Sequence, residues 1–376
     1  MLGWLRRLFG RGEPLDAPPV NIAPAPAPAR AAVAAPPAGP DLELVEAGPP
    51  SDPFTPFARA LGLPVPAAPA PLDEAEELAE LELATRILDH CRRNKLGPAS
   101  APTLSLRILN LVATPDVEVT ELARTIAADP ALSAGLLNVA NSAYYRGLSE
   151  IETIRDAITR LGFDEVGRVA GALSAKSLFN PKLRQELAAF GPHFSALYKR
   201  AITVAIGAAA LAMRCRGARS DRAYLGGMLH DVGRTVALRA VSTLTLEGGL
   251  VLGAAEPRLG RLIDRVHVEV GGEVHQEWQL PLYLTVLAVR HHDAEIPSDA
   301  DFVDLHVVRL TAAVHDLGAD PAAARRAADE IVQSAGALRL DPNGVRALAA
   351  ELRQAEEKVA VAFGLDGAGP RRGAAR

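Results

Sequence analysis

The chain has 376 residues, 40 Lys and Arg against 45 Asp and Glu for a formal net charge of -5, and only 4% aromatic residues. That balance supplies neither the basic field nor the stacking surface of a nucleic-acid binder, so no nucleic-acid partner is expected. No run approaches the roughly 18 apolar residues of a membrane span, the start lacks the apolar core and cleavage site of a secretory signal, and Cys91 and Cys215 fit no zinc or redox spacing, so a reducing cytoplasm is the expected setting.

Residues 1–11 (MLGWLRRLFGR) place Leu2, Trp4, Leu5, Leu8 and Phe9 on one helical arc and Arg6, Arg7 and Arg11 on the other. Such a peptide either makes peripheral contact with an anionic membrane or is a frayed terminus, since eleven residues form only a marginal helix in water. Residues 12–72 are Ala/Pro-rich, and seventeen of the 29 prolines fall before residue 72. This reads as a semi-extended disordered linker, within which Phe54, Phe57 and Leu61 are either a docking segment or, as is commoner in linkers, isolated apolar residues of no specific role.

Composition changes at Asp73. Acidic residues from Asp73 to Glu82 precede Arg86, Arg92, Arg93 and Lys95, the order a helix dipole favours, so 73–95 is a lead-in helix. Helices then follow with no sign of strands. Leu104–Ala113 is one, and the stripe Val119, Leu122, Ile126 marks another. Asp129-Pro130 caps a helix that Asn141-Ser142 closes; Thr153–Leu161 is stopped by Gly162, and Asp164 caps the next as far as Phe179.

A second group begins near Phe190 with an alanine-rich helix marked by Ile202, Ile206, Ala209 and Met213. Tyr224–His230, Gly260–Trp278 and Leu282–His292 follow, and Val303 to Leu317 repeats at helical spacing. Ala322–Ala335 is stopped by Gly336, and Asp341-Pro342 caps a last helix carrying Leu348, Leu352, Ala355 and Val359.

His230-Asp231 sits at an apolar helix end that Gly233 is expected to supply. Neighbours on a helix lie about 100° apart, so one metal could engage both only where the helix stops. His267, His291 and His292 are the natural further ligands, and imidazoles with a bridging carboxylate are the donor set of water-activating phosphoesterase sites. The same residues also read as a dipole-favoured helix end and a surface His-His pair.

Gly227-Met228-Leu229-His230-Asp231-Val232-Gly233-Arg234 resembles the HD signature of the metal-dependent phosphohydrolase superfamily. Asp129-Pro130-Ala131-Leu132, Ala140-Asn141-Ser142-Ala143-Tyr144-Tyr145, Leu161-Gly162, His267 to Gly271, Trp278, Leu280-Pro281 and His291-His292 resemble a narrower family, the HDOD output domain of bacterial signalling proteins. The likeness covers about residues 95 to 295 and implies an all-α, multi-helix domain that regulates or scaffolds rather than catalyses. Asn141 and Ser142 are family-motif positions whose chemistry suits capping carbonyls or fixing a turn. Against the catalytic pattern, Arg200 stands where the first metal-binding His belongs. The closing Asp belongs within 310–314, where the aligned position is Ala312, and Asp316 is displaced from it by more than a turn.

With two ligands missing, a two-metal hydrolase is not expected, and Arg200 could instead pair with Asp231 as a structural lock. The organisation expected is a basic amphipathic peptide at 1–11, a linker at 12–72, a lead-in helix at 73–95, an HDOD-like domain at 96–295, a helical extension at 296–364 and a disordered tail at 365–376. The function expected is a non-catalytic signal-transduction module that binds a protein partner. No cofactor is expected; a divalent metal, if retained, sits at low occupancy on His230, Asp231, His267, His291 and His292. The competing reading is a metal-dependent phosphohydrolase or cyclic-dinucleotide phosphodiesterase using those five residues.

Overall fold

The computed structural model describes residues 52–68, 70–94, 107–108, 111, 118–142, 145, 151–180, 184–250, 252, 257–317, 321–363 and 365. The readings of 1–11, of 12–51, of most of 104–113 and of 366–376 fall outside them. Among the described residues the regular structure is helical, with no strand, as the sequence leads one to expect.

A small unit holds α3 (Val119–Ala127), α4 (Pro130–Ala140), α5 (Ile154–Leu161) and α6 (Phe163–Phe179), packed around Leu122, Ile126, Leu136, Val139 and Val166. The starts of α4 and α5 are those the sequence signals. Asp129 Oδ1 accepts the N–H groups of Ala131 and Leu132 at 2.8 and 3.1 Å, with Pro130 in the first turn, and Thr153 Oγ1 accepts the Asp156 N–H at 3.1 Å. Gly162 ends α5, and α6 begins directly after it at Phe163, ahead of the cap expected at Asp164. The Asn141 side chain donates to the Ile151 carbonyl and accepts the Ile151 N–H, both at 2.8 Å, and so ties the end of α4 to the start of the α5 approach.

The large unit is organised around α7 (Arg184–Ala212), a 29-residue helix against which α8 (Ser220–Leu229), α9 (Val232–Leu246), α12 (Val303–Asp316) and α14 (Pro342–Phe363) pack. α10 (Pro257–Glu277) lies on α9, α11 (Leu282–Arg290) on α10 and α8, and α13 (Pro321–Ala337) on α12. α2 (Glu74–Asn94) covers α9 and α10, with Glu80 buried beside Arg261 at 2.7 Å and Glu77 paired to Arg265 at 2.8 Å. α7 is long and apolar enough to cross a membrane by composition, but 72% of that apolar window is buried by its neighbours. Its six alanines from Ala201 to Ala212, with Gly207, let four helices approach closely, which makes it the core of the fold.

Four sequence expectations are corrected here. α7 starts at Arg184 and runs through Pro192, because the buried faces of Phe190 and Phe194 outweigh the roughly 3 kcal/mol of an interior proline. α9 follows the His-Asp pair directly, so Gly233 lies inside a new helix and does not stop the old one. α13 continues through Gly336, whose cost of about 1 kcal/mol against alanine is offset by burial of Ile331 and Ala335. The linker reading fails at 52–62: α1 (Thr55–Leu61) docks on α14, with Phe54 and Phe57 buried and their rings stacked at 6.3 Å. Seven residues cannot hold a helix alone; the apolar face of α14 supplies the stabilisation, and it lies some 300 residues further along the chain.

The docked segment predicts a measurable contribution. Phe54 has no exposed surface, so Phe54→Ala should lower stability to denaturant by about 3–5 kcal/mol. An unchanged unfolding midpoint would show that residues 52–62 do not pack on α14 in solution.

Candidate metal centre

His230 closes α8 and Asp231 opens α9, so the pair occupies the corner between two helices. At a corner, neighbouring side chains escape the angular spacing of a continuous helix. Two glycines position that corner. A Cβ on Gly227 would come within 2.6 Å of the Ala205 Cα on α7, and one on Gly233 within 2.0 Å of the His267 carbonyl oxygen on α10. Only glycine permits such backbone approach, and the result is that Asp231 stands between Arg200 of α7 and His267 of α10.

The two carboxylate oxygens of Asp231 face different chemistry. Oδ2 accepts from Arg200 Nη1 at 2.6 Å and from Arg234 Nε at 2.9 Å. Arg200 also grips Asp316 through two parallel bonds, Nε to Oδ1 at 2.8 Å and Nη2 to Oδ2 at 2.5 Å, while Arg234 pairs with Asp264. Burial alone would raise the Asp231 carboxyl, but Arg234 and Arg200 hold it well below the usual carboxylate range. Burial disfavours the charged Arg200, yet Asp316 and Asp231 keep it firmly protonated. The ion pairs form a chain, Asp316–Arg200–Asp231–Arg234–Asp264, that ties α12, α7, the α8–α9 corner and α10 together.

Oδ1 faces imidazoles instead, with His291 Nε2 at 3.2 Å and His267 Nε2 at 3.3 Å. His267 Nδ1 lies 2.8 Å from the Asp264 carbonyl, and His291 Nδ1 lies 2.9 Å from the Ala288 carbonyl. A carbonyl can only accept, so both Nδ1 atoms carry a proton, and in the neutral tautomer that this fixes each Nε2 presents a lone pair. Burial pushes His267 well below the ordinary imidazole range, keeping it neutral. His292 Nδ1 meets Glu330 Oε1 of α13 at 2.6 Å. Burial, then the neighbouring His291, drives its imidazole far down, while burial lifts the Glu330 carboxyl to about 7.

The outcome is a cluster of acceptors with no donor between them. Among the described residues Asp231 Oδ1 and the Nε2 atoms of His267, His291 and His292 are buried without hydrogen-bond partners, and one ligand atom from each of these four residues falls within 4.8 Å of the others. A tetrahedral cation with bonds of about 2.0–2.1 Å separates its ligand atoms by about 3.3–3.4 Å, close to the two Asp231 separations above. The donor set, imidazoles with one carboxylate, suits zinc, iron or manganese, and these residues fit one such ion.

His230 stands apart. Its Nδ1 is held by the Gly226 and Gly227 carbonyls, and its Nε2 lies 3.5 Å from Asp231 Oδ2, on the side the guanidinium groups occupy. Burial pushes this imidazole down to about 3. Ser142 sits beside the Asn141 turn with a buried hydroxyl that has no partner among the described residues. Asp316, which sequence register puts out of reach, enters the cluster because Arg200 is long enough to meet it at the end of α12. Arg234, Asp264 and Glu330 carry no sequence role; only Arg234, within the motif itself, gave a local signal.

The HDOD domain family model matches residues 99–294. No curated protein matches the chain. Among solved structures, an HDOD domain protein of unknown function from Geobacter sulfurreducens is 23% identical, with a TM-score of 0.52 over 75% of this chain and 99% of that one. A Shewanella amazonensis SB2B protein, whose name gives metal-dependent phosphohydrolase as a provisional assignment, is 20% identical with a TM-score of 0.54 over 74% of this chain and 99% of its own. A Marinobacter aquaeolei VT8 protein, provisionally named for signal transduction, is 20% identical with a TM-score of 0.52 over 77% and 66%. These likenesses concern the fold.

Removing one member of a buried ion pair strands its partners. Arg200→Ala should therefore cost roughly 3–5 kcal/mol in chemical denaturation, because Asp231 and Asp316 lose their shared cation. A loss below about 1 kcal/mol, the range of surface pairs, would contradict the buried chain of charges.

Proposed function

The chain belongs to the HDOD family, and on that premise we propose that it is a non-catalytic signalling module in which the His-Asp corner holds the domain together and no phosphoester is turned over. The observation that carries this reading is Arg200 on Asp231 Oδ2 at 2.6 Å. Two-metal hydrolysis needs a carboxylate that bridges two cations about 3.5–4 Å apart. Here one bridging oxygen is already taken by two guanidinium groups, which have no lone pair to offer a metal and cannot lose their charge at physiological pH. Arg200 thus stands in electrostatically for one cation and acts as a structural lock.

The other oxygen retains room for a single ion. His267, His291, His292 and Asp231 would hold it, and when bound it would crosslink α10, α11 and the α8–α9 corner and could polarise a coordinated oxygen. His267, His291 and Asp231 are themselves buried. Catalytic metal sites keep an open coordination position for substrate, and enclosure of this kind is more in keeping with a structural ion. A protein partner in a signalling pathway, met in the cytoplasm, is the interaction this reading implies, with 1–11 as a peripheral membrane contact. The second reading, a metal-dependent phosphohydrolase or cyclic-dinucleotide phosphodiesterase, draws on the free imidazole lone pairs and on the name of the Shewanella relative.

Turnover separates the two. Purified full-length protein supplied in turn with Zn2+, Mn2+ and Fe2+ should hydrolyse neither bis-(p-nitrophenyl) phosphate nor a cyclic dinucleotide above the protein-free rate. Metal-dependent hydrolysis that disappears in Asp231→Asn would overturn the non-catalytic reading.

A further inference from the structure

α13 lies beyond the matched family segment, which ends at residue 294, yet two of its side chains reach the centre. Glu330 is buried and places Oε1 2.6 Å from His292 Nδ1. Arg326, one turn earlier, stands 3.8 Å from Glu330 and 3.4 Å from Asp264 Oδ2, the carboxylate that already holds Arg234. On the adjoining position Arg325 pairs with Asp52, just ahead of the docked α1. His267 and His291 each have a backbone carbonyl from their own helix to fix the ring, but the partner of His292 Nδ1 is a side chain from a different part of the chain.

We propose that Glu330 is a positioning residue for His292, and that through it the docking of α13 and the binding of a divalent cation at Asp231, His267, His291 and His292 are thermodynamically linked. This rests on the reading of those four residues as a single-cation site. A Glu330 carboxylate accepting from Nδ1 would fix the tautomer with Nε2 free and turn the ring towards Asp231 Oδ1, the arrangement that outer-shell carboxylates impose on metal-binding histidines. Binding at one end must then favour the docked state at the other, because linkage is reciprocal. A cation held by His292 stabilises the Glu330 contact, and loss of that contact weakens the cation. The strap of ion pairs from Asp52 through Arg325 extends the same helix to the N-terminal docked segment.

The test uses full-length protein, Zn2+ as the probe and a chelator competition to read its affinity, alongside amide hydrogen exchange over 321–337. Wild type should bind one Zn2+, and exchange in α13 should slow on binding. Glu330→Gln, close in size and shape, should keep the metal-free thermal stability within a few degrees, weaken Zn2+ binding about 10- to 100-fold and lose the slowing in α13. His267→Ala serves as the site control and should abolish binding. If His267→Ala abolishes binding while Glu330→Gln binds as tightly as wild type, the linkage is wrong and the site stands. If wild type binds no Zn2+, or His267→Ala binds it unchanged, the single-cation reading is wrong and the linkage falls with it.

Discussion

The carboxylate of Asp231 must satisfy two opposed surroundings at once, and the fold is arranged to let it. On one side guanidinium groups from α7 and α9 converge on Oδ2; on the other, imidazoles from α10 and α11 turn lone pairs towards Oδ1. A buried charge without partners costs several kcal/mol, so each helix that touches Asp231 is constrained by it. The two tight glycine contacts, Gly227 on α7 and Gly233 on α10, bring the helices close enough for both sets of partners to reach. Loss of either approach would open a gap at the one place where the ion-pair chain needs continuity.

On the non-catalytic reading proposed above, this asymmetry is what separates structural from catalytic use of the motif. An oxygen that accepts from fixed positive charges is electrically complete, whereas one that faces neutral imidazoles is not. On the proposed non-catalytic reading, Arg200 changes what the site can do. Asp316 reinforces that change by gripping the far edge of the guanidinium through two bonds, which leaves the arginine little freedom to swing aside.

Much of this was legible in the residues. Helix content, the cap at Asp129 and the helix start at Thr153 follow from local pattern, and the family likeness brings Asp231 together with the later histidines and marks Arg200 as out of place. What local pattern does not carry is distance across the fold. Asp316 lies out of register with the catalytic pattern, yet a long arginine bridges the gap. Phe54 and Phe57 look like isolated apolar residues until α14 provides the face they pack against. Gly233 reads as a helix stop because glycine weakens helices; its actual constraint is the carbonyl of His267, a contact made only when α9 and α10 are already side by side.

The most direct measurement of the central claim is anomalous diffraction at the zinc edge from crystals grown or soaked with Zn2+. One peak is expected, within bonding distance of Asp231 Oδ1, His267, His291 and His292, with Arg200 still on Oδ2. Two peaks about 3.5–4 Å apart, bridged by Asp231 with Arg200 swung out of the cluster, would show that the arginine does not replace a cation and that the site retains the architecture of a two-metal enzyme.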